Sequence, residues 1–144
     1  MTTTSILGIT LPDDTDLVKD GASAIRTVGN GFDDALAKLT LNAQTATYTA
    51  VLTDNRNKLV TMNVATANDF LIPTNANVAF PIGSVINVIQ IGAGQTTIEA
   101  VTPATTTISS TGATATAPVL RAQYSAASCI KVAIDTWYVV GDIE

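Results

Sequence analysis

The chain has 144 residues, enough for one self-supporting core, yet only 12 are acidic and 7 basic, about half the usual ~25% share of charge. Histidine is absent and cysteine occurs once, which excludes a histidine-ligated zinc site, Ser-His and Cys-His nucleophiles and an intrachain disulfide. The net charge of −5 leaves no basic excess for nucleic acid, and no apolar run approaches the ~20 residues that span a bilayer, so neither nucleic acid nor membrane is an expected partner.

The N-terminus, Met1-Thr2-Thr3-Thr4-Ser5, has no basic region and no apolar run behind it, which predicts no secretory signal and folding in a reducing cytoplasm. Residues 1–12 are expected to form an extended arm that ends at Pro12. Asp13, Asp14, Thr15 and Asp16 then supply a capping candidate and negative charge where a helix dipole favours it. From Val18 the positions Ala22, Ile25, Gly29, Phe32, Leu36 and Leu39 follow alternating gaps of four and three, an apolar seam with a seven-residue repeat. This predicts a helical stem over 13–43, with Gly29-Asn30-Gly31 as its weak point. The seam either lies on the chain's own sheet or packs against copies of itself, and the low charge of the chain favours the second.

After residue 43 the pattern becomes β, and 44–144 are expected to form one domain. Runs rich in Val, Ile, Thr and aromatics occur at 48–52, 58–62, 70–72, 85–91, 96–101, 119–124, 129–134 and 137–140. Their number and spacing predict a mainly β fold, an antiparallel β-sandwich or small barrel. In the last strands, Leu120, Ala122 and Tyr124 and then Ile130, Val132 and Ile134 are expected to face the core. In 85–91, Ile86 and Val88 fall on one face and Val85, Ile89 and Ile91 on the other, which predicts cover on both sides, one of them a neighbouring subunit. The expected oligomer interface is therefore Val18, Ala22, Ile25, Phe32 and Leu36 with Ile86 and Val88. Residues 102–118 are rich in Thr, Ala and Ser between two prolines and are expected to form an exposed loop, with Thr105, Thr106, Thr107, Thr111 and Thr114 as its contact residues. No internal repeat of 20 to 50 residues is visible.

Four motifs touch on chemistry and each has a simpler explanation. Gly92-Ala93-Gly94 follows an apolar strand, but strand-like sequence succeeds it where a phosphate-binding helix would begin, so a hairpin turn is expected. Ser128-Cys129-Ile130-Lys131 has the spacing of a lysine-activated serine, but on a strand these two side chains point to opposite faces. Asp135-Thr136-Trp137 is a turn between strands. Asp13, Asp14, Asp16 and Asp20 lack calcium-loop spacing and serve the helix start. Cys129 is expected to be a buried small hydrophobe, and the acids Asp54, Asp69, Glu99, Asp135, Asp142 and Glu144 are too scattered to form a catalytic pair. No enzyme activity, metal or cofactor is expected.

The stretches Tyr48-Thr49-Ala50-Val51-Leu52-Thr53-Asp54, Lys58-Leu59-Val60-Thr61-Met62-Asn63, Val78-Ala79-Phe80-Pro81-Ile82-Gly83-Ser84-Val85-Ile86-Asn87-Val88, Leu120-Arg121-Ala122-Gln123-Tyr124-Ser125 and Asp135-Thr136-Trp137-Tyr138-Val139-Val140-Gly141-Asp142 resemble the small β domain of structural proteins from tailed bacteriophages. The segment from Leu11 to Ala22 is similar to the attachment segment that precedes such domains in tail and head fibres. The resemblance covers about 47–144. It implies a non-enzymatic component of the virion, made in the host cytoplasm, homotrimeric and joined to capsid or tail proteins through its N-terminal segment. The missing shaft points to a short fibre or capsid decoration. The alternative is a receptor-binding tip that contacts host glycan.

Overall fold

The computed structural model describes Thr2–Thr3, Thr10–Leu11 and residues 20–111 and 116–144. These divide into two units, residues 1–39 and 40–144. In the first, β1 (Thr2–Thr3) pairs antiparallel with β2 (Thr10–Leu11), and α1 spans Gly21–Ala37. The helix runs unbroken through Gly29-Asn30-Gly31. Asp20 stands at its N-cap without a side-chain cap, and the Ser23 hydroxyl donates to the Asp20 carbonyl at 2.8 Å. Asp13, Asp14, Asp16 and Val18 lie outside the described residues.

The second unit starts at Thr40, earlier than expected, because residues that read as the end of the stem form a strand. Its strands are β3 (Thr40–Gln44), β4 (Tyr48–Thr49), β5 (Lys58–Met62), β6 (Asn68–Ile72), β7 (Val85–Gln90), β8 (Thr96–Ala100), β9 (Thr107–Ser110), β10 (Ala126–Ala133) and β11 (Thr136–Gly141). They build a six-stranded sheet in the order β3-β5-β7-β10-β11-β9 and a three-stranded sheet in the order β4-β6-β8. The chain alternates between the sheets, so β3-β4, β5-β6 and β7-β8 are three successive turns of a coil, stacked in parallel. The fold is mainly β, as expected, but neither an antiparallel sandwich nor a closed barrel. The small sheet is wholly parallel, and the large one is mixed, with β10 antiparallel to both β7 and β11 and β9 parallel to β11. The sequence hides this because every connection from β3 through β9 crosses to the other sheet, so over that stretch the strand that follows in sequence is not the strand that pairs.

Val60, Met62, Ile86, Val88, Cys129 and Val139 from the large sheet meet Phe70, Ile72 and Ile98 from the small one in a common core. Phe80 packs edge-on against Trp137, with ring centroids 5.4 Å apart. At one corner of the coil the backbones stack directly. The amides of Ile91 and Gly92 donate to the Met62 carbonyl, and that of Gly94 donates to Val64. Inside this corner Thr96 Oγ1 donates to Asn68 Oδ1 at 2.9 Å and the Thr96 amide donates to Gln90 Oε1 at 3.0 Å, so buried polar atoms satisfy one another. Gly92 and Gly94 therefore sit in a corner between two sheets and not in a hairpin. Neither has positive φ, and what requires glycine is the backbone of Val64 and Thr66, which lies where a Cβ would stand.

Three further expectations fail. Of 119–124 only Val119 and Leu120 form bridges; Leu120 is buried, while Ala122 is exposed and Tyr124 sits exposed in a turn at φ 72°. The parity of β10 is reversed, with Cys129 and Lys131 inside and Ile130, Val132 and Ile134 turned outward. The 102–118 segment is no loop through its length, because Thr107–Ser110 is a strand whose Ile108 belongs to the core.

Candidate functional site

Among the described residues no group of three His, Cys, Asp or Glu side chains converges, and no helix is long and apolar enough to cross a membrane. Cys129 is fully buried, and burial pushes its thiol up to about 12, so it is not a thiolate at neutral pH. Ser128 and Lys131 point to opposite faces of β10, as the strand geometry requires. Ser128 donates to Asn87 Oδ1 at 2.7 Å, while the Lys131 ammonium donates to Asn75 Oδ1 and to the Phe80 carbonyl and lies 5.9 Å from the Trp137 ring centre. Burial draws the Lys131 ammonium below the usual lysine range, and the charge of Asp135 partly restores it. Asp135 itself, at positive φ in the β10–β11 turn, accepts from the Asn75 amide at 2.6 Å and the Thr106 hydroxyl at 3.3 Å.

A second polar cluster closes the first turn of the coil. Asp54, fully buried in the short 3-10 turn Leu52–Asn55, accepts from Asn42 Nδ2 at 2.9 Å, Tyr48 Oη at 2.9 Å and the Val51 amide at 2.8 Å. Burial raises the Tyr48 phenol; donation from Asn42 opposes this shift and Asp54 adds to it. The sequence carries no motif for this cluster, since Asn42, Tyr48 and Asp54 sit on three separate elements. Asp54→Ala leaves three donors without their acceptor, and we expect a loss of about 3 kcal/mol and a fall of roughly 10 °C in Tm by calorimetry. At the far end of the unit, Arg121 grips Asp142 with two bonds, at 2.7 Å and 3.0 Å, which with Ser125 holds that carboxyl below its usual range.

The expected contact residues separate. Thr105 and Thr111 are exposed, and Thr107 faces outward from β9, but Thr106 is buried and bonded to Asp135, and Thr114 lies outside the described residues. A shallow groove of about 240 Å³ runs along the edge, lined by Ser109, Ser110, Thr111, Tyr138, Val139 and Val140. One tyrosine does not make the stacking platform of a selective sugar site.

The expected interface also divides. On α1, Ala24 is buried and Val28 and Gly31 are half-buried, whereas the seam beside them, Ala22, Ile25, Gly29, Phe32 and Leu36, is exposed, with Ile25 at 71% and Leu36 at 75%. Ile86 and Val88 are corrected: both are fully buried in the unit's own core, because the face of β7 that they occupy is the one turned toward the small sheet. The outward face of β7 is Val85, Asn87 and Ile89. Pairing registers continue that face across the sheet, through Leu41, Leu59, Ser128 and Val140 in one row and Val85, Ile130, Tyr138 and Ser109 in the next. No charged residue stands in either row.

The features that the described residues offer for function are thus two apolar surfaces, the seam on α1 and the uncharged rows of the large sheet. No family model, curated protein or solved structure matches the chain.

Proposed function

We propose that this chain is a non-enzymatic structural protein of a tailed-phage particle, a short fibre or capsid decoration, which self-associates as a homotrimer through its N-terminal helix. The observation that carries this reading is the exposed seam of α1. Apolar residues at seven-residue spacing on a water-facing helix lower the stability of a monomer and are accounted for by a bundle of copies. The resemblance of 47–144 to phage β domains supplies the particle, and the N-terminal segment is the part proposed to join capsid or tail proteins. Host glycan at the Thr-rich segment fits less well, since Thr106 is buried and Thr107–Ser110 is a paired strand.

Ile25→Asp places a carboxylate in that seam. We expect it to turn the trimer into a monomer at micromolar concentration, read by sedimentation, while the β unit keeps its thermal transition, because an unpaired buried charge costs several kcal/mol in each subunit. Loss of the β transition overturns the stem reading. Antibody labelling of intact particles tests location: label on capsid or tail is expected, and label confined to the lysate supernatant overturns the virion assignment.

A further inference from the structure

We infer that the outer face of the six-stranded sheet is a docking surface for a second copy of this chain, an inference that rests on the reading of the chain as self-assembling and gives that assembly a second interface. The observation is an inversion. On β10 the outward residues Ile130 and Val132 are more apolar than the inward Lys131 and larger than the inward Ala127 and Cys129, the reverse of a strand whose outer side meets only water. Its neighbours extend the pattern, with Tyr138 at 50% and Val140 at 52% exposure on β11 and Val85 half exposed on β7.

Three arguments favour a second copy as the occupant. Leu41, Val85, Val132, Tyr138 and Val140 are each between 37% and 66% exposed, together an apolar patch on the order of a few hundred Å², a substantial part of the ~800 Å² per partner of a standard interface. The rows carry no charge, so the occupant must be uncharged over the same extent, which this face of another copy is. Their central polar groups are already joined, Ser128 to Asn87 at 2.7 Å, which limits the cost of drying them.

The test uses the full chain. Val140→Arg and Val85→Arg lie at exposed positions on different strands, so at least one is expected to fold with an unchanged thermal midpoint. Each is expected to weaken self-association about 100-fold by sedimentation. Tetranitromethane supplies a second readout: in the assembled parent Tyr138 is expected to nitrate at least tenfold more slowly than Tyr124, which is exposed in the 121–125 turn, and Val140→Arg is expected to restore its reactivity. A parent oligomer dissolved by Ile25→Asp but untouched by both arginine variants, with Tyr138 as reactive as Tyr124, overturns the sheet interface and leaves the helical one standing. A parent that is monomeric throughout overturns both. Protection of Tyr138 only within whole particles means that a different particle protein covers the face, and overturns the proposal as stated.

Discussion

Gly94→Ala is expected to lower stability by about 4 kcal/mol or more, the scale of the most damaging single substitutions, and to reduce Tm by well over 10 °C. The atoms that a Cβ meets at this position belong to the Thr66 backbone, which cannot turn aside as a side chain can. Relief requires the second and third turns of the coil to separate at their corner. That movement breaks the bond from the Gly94 amide to Val64 and strips Asn68 and Thr96 of the partners that satisfy them inside. Gly29→Ala is the matching control, since nothing lies within 4 Å of its added Cβ and its backbone is helical, so a gain of about 1 kcal/mol is expected there. A Gly94→Ala chain that melts within a few degrees of the parent would mean that the coil spacing at this corner is wider than described.

Replacing residues 105–116 by a Gly-Ser linker is expected to abolish the cooperative unfolding transition in calorimetry. The segment looks dispensable, being uncharged and rich in threonine, but it contributes β9 at the edge of the large sheet. Ile108 fills the core beside Trp137, and Thr106 bonds to Asp135, the residue that also holds the Asn75 amide over the buried Lys131. Loss of a buried isoleucine alone costs about 2–5 kcal/mol, and the removed strand pairing adds to that. An unchanged transition would show that β9 is not part of the folded unit.

What the sequence discloses follows from how local each signal is. Lys58–Met62, Val85–Gln90 and Thr96–Ala100 announce themselves as strands through β-branched residues, and the seam from Ala22 to Leu36 announces its helix through spacing alone. Thr40–Gln44 does not, because Thr-Leu-Asn-Ala-Gln directly after a helix has as good a claim to helix as to strand. Parallel stacking is hidden for a different reason. Gln44, Met62 and Gln90 occupy equivalent positions in three turns, but the connections between them differ in length, so no fixed period survives. Facing on β10 is not legible because apolarity normally marks the inside, and here a lysine with two acceptors and an aromatic neighbour is an inward residue. The same inversion is what exposes the sheet as a candidate site. The Asn42, Tyr48 and Asp54 cluster has no local signature, since its members become neighbours only when the first turn of the coil closes.

That closing turn also decides where the coil stops growing. A parallel stack offers its edge strand to any further strand of matching spacing, which is how such architectures run on into filaments. Here β3 is the edge of the large sheet and β4 the edge of the small one, and the interior positions beside them hold Asn42, Gln44 and Tyr48 over the Asp54 carboxylate, where deeper turns hold Val60, Met62 and Phe70. A strand added at this edge would meet Asn42, Gln44 and Tyr48, whose polar groups are already joined to one another and to Asp54, and gain little apolar cover in return. The polar floor makes the stack finite, because a strand set end to end against β3 and β4 would find no apolar core to continue.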